Sequence, residues 1–162
     1  MSSRVTIAGH PVHPMLVPIP IGLWIFTLTS DIVFAVTGDS RWEATAFFTL
    51  AGGIAGAPLA AVPGLFDLLG LRDAHQRQIG IFHMSLNLAI VVVQAINFAL
   101  RATGTHAGVP LTMALSALSV VSLLLSGWLG GQLVHVLGVT QPHRLESRSS
   151  HPVTDDGLHL HH

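Results

Sequence analysis

The sequence predicts an all-α protein, a four-helix transmembrane bundle, and three observations carry that prediction. Hydrophobic residues make up 50% of the 162, while Asp, Glu, Lys and Arg make up only 9%, against about 25% charged in ordinary soluble domains. So few charges cannot cover a soluble fold of this size, so most of the surface must face something other than water. Apolar stretches recur along the chain, separated by short polar segments, and each is near the roughly 20 residues that cross a hydrocarbon core as a helix.

Residues 1–14 form an N-terminal segment built on His10-Pro11-Val12-His13-Pro14. Each proline fixes its own φ and restricts the residue before it, so both histidines are held stiffly at the mouth of the first span. That span is predicted over residues 15–36, with Pro18 and Pro20 near its start and Asp31 inside it, and Gly38-Asp39-Ser40-Arg41 ends it. It is longer than a signal-peptide core and contains a carboxylate, so it is expected to be retained. The second span, 45–71, contains Pro58 and Pro63 and a ladder of small residues, Gly52, Gly56, Ala60 and Gly64. Small residues four apart form the smooth face along which helices pack in lipid. Arg72 to Arg77 make a short polar connection to the third span, 79–100, which Arg101 stops. The fourth, 110–137, carries Ser116, Ser119, Ser122 and Ser126 on one broad face. Residues 15–138 are thus the transmembrane domain. The polar, histidine-containing tail 139–162 has the composition of a disordered segment.

Arginine placement predicts orientation. An even number of spans puts Arg4, Arg72, Arg77, Arg144 and Arg148 on one side, Arg41 and Arg101 on the other. The richer side is cytoplasmic, so both termini are expected there, in a bacterial plasma membrane. A net charge of −1 supplies no basic field for nucleic acid. The absence of cysteine excludes disulfides, iron–sulfur ligation and thiol catalysis from this chain. No nucleophile–base pairing, phosphate loop or zinc-protease signature argues for an enzyme.

Polar side chains inside spans are costly and face protein or a water-filled cavity. Asp31 and Asp67 are two such groups, Asp67 on the packed face of the second span. In the third span His83, Asn87, Gln94 and Asn97 fall within a narrow arc of one helical face. Such a stripe is either hydrogen-bonding glue between helices or the lining of a cofactor or proton route. A neutral imidazole binds haem iron at modest cost in lipid. Topology brings His10, His13, His83 and His135 to the cytoplasmic boundary, with Asp67 at similar depth.

His10-Pro11-Val12-His13-Pro14-Met15 leading into Pro18-Ile19-Pro20-Ile21-Gly22 resembles the opening of a bacterial membrane family, domain of unknown function 2231. Asp31, Gly64-Leu65-Phe66-Asp67, His83 with Asn87, and Gly127-Trp128-Leu129-Gly130-Gly131 also resemble it. The likeness spans residues 8 to 139. Relatives joined to Rieske-type or cytochrome-type domains imply electron transfer near the bundle, which is analogy at the level of fold. Near the end of the fourth span the family pattern has a tyrosine and then a histidine, where this chain has His135 and Leu137.

Three functions compete at this stage. In the first, the chain is an accessory or scaffold membrane subunit whose polar residues only lock the helices. In the second, it is a redox protein holding a b-type haem or a quinone, with His83 and His13 or His10 as ligands and a redox partner protein. In the third, it is a small ion or proton transporter using Asp31 and Asp67, and four spans would then call for a homo-oligomer. The lipid bilayer is a partner in all three.

Overall fold

A computed structural model of the chain describes residues 5–104 and 108–133. The end of the expected fourth span, His135 and the tail lie outside the described residues. A hairpin of β1 (Thr6–Ile7) and β2 (His10–Pro11) comes first, with Thr6 opposite Pro11. Its turn residues Ala8 and Gly9 have φ of 50° and 80°, the left-handed backbone that tight two-residue hairpins require. A single turn-and-a-half of helix, α1 (Val12–Leu16), runs through Val17 into α2 (Pro18–Thr37). Then follow α3 (Ser40–Leu69), α4 (Ala74–Ala102) and α5 (Gly108–Gly131). Among the described residues, four helices are long and apolar enough to cross a membrane.

Helices α3 and α4, the second and third spans, begin at Ser40 and Ala74, each five residues ahead of the apolar stretch read from the sequence. Their first turns are polar and are held by caps instead of hydropathy. The Asp39 carboxylate accepts from Arg41 N at 3.0 Å, and that of Asp73 accepts from Gln76 N at 2.8 Å. The first helix stops at Gly38, whose left-handed φ of 69° and N–H to Phe34 O close it in the usual C-terminal way.

Helix α2 packs on α3, α3 on α4, α4 on α5, and α5 returns to α2, which closes a ring of four. Short loops make neighbours antiparallel, so the C-terminal ends of α2 and α4 meet the start of α5 at one end of the bundle. At the other end stand α1, the end of α3, the start of α4 and the end of α5. Between the ends lies an apolar layer of Trp24, Leu50, Ala57, Ile90 and Leu123. The outer faces are apolar too: Phe48 and Leu124 are each 70% exposed, and Trp128 is 65% exposed. Lipid is the solvent that makes such a surface favourable.

The small-residue ladder of α3 faces the first helix. A Cβ placed at Gly52 would lie 3.2 Å from Leu23, and one at Gly56 would lie 3.5 Å from Ile19. The closest approach is one residue off the ladder, at Gly53, where the Trp24 indole occupies the space a side chain would need. Thr27 Oγ1 and Thr49 Oγ1, 2.9 Å apart, hydrogen-bond across the same seam.

Candidate functional site

Polar groups in the bundle collect at its two ends. At the first, Asp31 of α2 and Arg101 of α4 form a two-pronged ion pair. Arg101 Nη1 donates to Oδ1 and Nη2 to Oδ2, each at 2.8 Å. Their side chains are only 5% and 10% exposed. Two charges in so little water persist only when each is paired and hydrogen-bonded. Here the remaining positions are filled. Ser116 Oγ donates to Asp31 Oδ2 at 2.8 Å, and Arg101 Nε donates to Asn97 Oδ1 at 3.0 Å. Asn97 Nδ2 in turn donates to Ser116 Oγ at 3.0 Å and Thr112 O at 3.2 Å. This network joins α2, α4 and α5. It borders a crevice of about 520 Å³ whose walls include Asp31, Glu43, Phe47, Arg101 and Thr112.

The second end is built on imidazoles. His13, in α1, reaches the backbone of α3, with Nδ1 2.7 Å from Ala60 O. His83, in α4, reaches α5, with Nδ1 3.0 Å from Ser126 O and 3.1 Å from Ser126 Oγ. A carbonyl oxygen only accepts, so each Nδ1 carries a proton, and the ring nitrogen left to meet another group is Nε2. Asn87 Nδ2, a donor, stands 3.3 Å from His83 Nε2 and closer to His83 O at 2.7 Å and Ser126 Oγ at 2.6 Å. The His13 and His83 ring centres are 6.3 Å apart, with planes at 87°. Glycine makes room for both rings. A Cβ at Gly64 would come within 2.7 Å of His13 Nδ1, and one at Gly130 within 3.2 Å of His83 Cε1.

The four-residue stripe of α4 therefore divides: His83 and Asn87 belong to the imidazole end, Asn97 to the ion-pair end. Gln94 is fully buried and accepts from Asn97 Nδ2 at 3.3 Å. Asp67 is half-buried in the last turn of α3, and His10 is exposed in β2. Among the described residues, no three His, Asp or Glu side chains converge as a metal-binding group. The residue that sequence reasoning passed over is Arg101, taken only as a stop at the end of a span. It follows His83 by 18 residues, five full helical turns, and so extends the stripe. Topology also puts it on the same side of the membrane as Asp31.

A family model described as "Predicted membrane protein (DUF2231)" matches residues 9–142. No curated protein and no solved structure matches the chain significantly.

Proposed function

Starting from a chain that belongs to the DUF2231 family of predicted membrane proteins, we propose that it serves as an accessory subunit, a rigid four-helix scaffold in the membrane. The observation behind this reading is the closed Asp31–Arg101–Ser116–Asn97 network, together with the apolar layer beneath it. A transporter needs ionisable groups that exchange partners along a continuous polar route. Here both carboxylate oxygens of Asp31 are engaged by protein donors. Trp24, Leu50, Ile90 and Leu123 separate that end from the histidines. Such an interior fixes the helices and leaves the lipid-facing surface to meet other proteins. In this reading the chain sits in the bacterial plasma membrane with both termini cytoplasmic. The arginine count supports that sidedness: Arg4, Arg72, Arg77, Arg144 and Arg148 fall on the side of the termini, against Arg41 and Arg101 on the other.

The test is native electrophoresis of gently solubilised membranes. A scaffold subunit migrates in a particle containing other proteins, well above the 17.1 kDa chain in its detergent belt. Migration as a lone chain or a simple homo-oligomer contradicts the proposal. So does a proton flux in proteoliposomes that Asp31→Asn abolishes.

A further inference from the structure

We propose that His13 and His83 form a two-coordinate site for a closed-shell monovalent cation, cuprous copper, bridging α1 and α4. This goes beyond the scaffold reading and stands or falls separately from it. The rings come from elements far apart in sequence, yet both are anchored through the same nitrogen. Each Nδ1–H is spent on a backbone carbonyl, Ala60 O for His13 and Ser126 O for His83. That arrangement is how metal-binding histidines are held: the second ring nitrogen is anchored, which fixes the tautomer and raises the basicity of the first. The nitrogen left for a ligand is Nε2 in both, and Asn87 Nδ2, 3.3 Å from that of His83, must yield to the ion there.

The ring spacing admits an ion. A metal–imidazole bond of about 2.0 Å, added to roughly 1.2 Å from nitrogen to ring centre, puts two imidazoles whose Nε2 atoms face one ion from opposite sides about 6.4 Å apart. The ring centres lie 6.3 Å apart with planes at 87°, a separation that accepts this geometry once both Nε2 atoms turn to the ion. With no third His, Asp or Glu converging among the described residues, the ligand set is short of the three or four that zinc takes. A d10 monovalent ion accepts two nitrogens in line, and copper is among the metals imidazole suits.

A b-type haem would use the same nitrogens, and it needs in addition room for its macrocycle between the rings. Neither the crevice of about 520 Å³ nor a second of about 480 Å³ beside Arg72 and Phe82 is lined by either histidine. A single ion needs none of that space.

The experiment is anaerobic titration of the detergent-purified full chain with Cu(I), in competition with a chromophoric Cu(I) chelator. Wild type should withdraw one tightly held equivalent that His13→Gln and His83→Gln each bind at least tenfold more weakly. His10→Gln should leave it intact, and His13→Met should restore it in part. X-ray absorption of the wild-type complex, which needs no variant to fold, should show two nitrogen neighbours. Three outcomes overturn the proposal: equal binding by wild type and both glutamine variants, a copper edge with three or more neighbours, or a Soret band that both variants lose.

Discussion

Removing one charge from the buried ion pair should cost more than removing both. In Asp31→Asn the Arg101 guanidinium, 10% exposed, keeps its charge with a neutral amide where two carboxylate oxygens had been. Breaking a buried pair in this way costs about 3–5 kcal/mol, because the surviving charge stays desolvated. Arg101→Gln strands the carboxylate and should cost a similar amount. The double variant Asp31→Asn with Arg101→Gln has no charge to strand. Ser116 and Asn97 can still hydrogen-bond to its amides, so it should return to within about 1–2 kcal/mol of wild type. The readout is reversible unfolding in mixed micelles, followed by helical circular dichroism, as a double-mutant cycle. The pair is far less exposed than Arg41 and Asp39, so salt should change its coupling less than it changes theirs. Single variants within about 1 kcal/mol of wild type, or losses that simply add, would refute the reasoning.

Other expectations follow from particular contacts. Gly53→Ala forces a methyl against the buried Trp24 indole and should cost about 1–3 kcal/mol. Gly22→Ala, whose Cβ meets nothing within 4 Å, should be neutral in the same assay. Ser126→Ala removes the acceptor for Asn87 Nδ2, so amides around residues 83–87 should exchange hydrogen faster while those near Arg101 do not. Arg41 donates to Asp39 and holds that carboxyl below its ordinary value. The lowered group favours the capped form above the ordinary range, and this is lost only as pH falls through the lowered value. Protection of the Arg41 amide should therefore survive to below about pH 3.9, and Asp39→Ala should remove that pH dependence. Because the chain has no cysteine, Ser40→Cys and His75→Cys are single reporters of sidedness. In intact cells an impermeant maleimide should label the first and spare the second; the reverse pattern inverts the assigned orientation.

Much of this architecture is legible in the sequence, for reasons specific to lipid. Span number comes from hydropathy alone, because every backbone group must be satisfied within its own helix. The stripe on α4 is legible because 3.6-residue periodicity survives any tertiary arrangement. Partnership between helices is another matter. Asp31 finds Arg101 seventy residues away because α2 and α4 lie across the ring from one another and send long side chains inward. No local pattern records that distance. Arg101 looked like a boundary because arginine commonly snorkels outward from a helix end; here it turns in along its own helix to Asn97 Oδ1. The Gly53 contact escaped the four-residue ladder because an indole, wider than the leucine at Gly52, needs a recess of its own.

The ion pair also has a consequence in time. Asp31 is synthesised seventy residues before Arg101, which at about 5–20 residues per second is a delay of roughly 4 to 14 s. During that interval the first span carries an unpaired carboxylate; at a helix centre that costs about 2.5–3.5 kcal/mol, and less at Asp31, which lies toward the end of the span. Its passage into open lipid should therefore be less favourable until the third span arrives with the matching guanidinium. A ribosome stalled between the two residues should leave the first span still within crosslinking reach of the translocon.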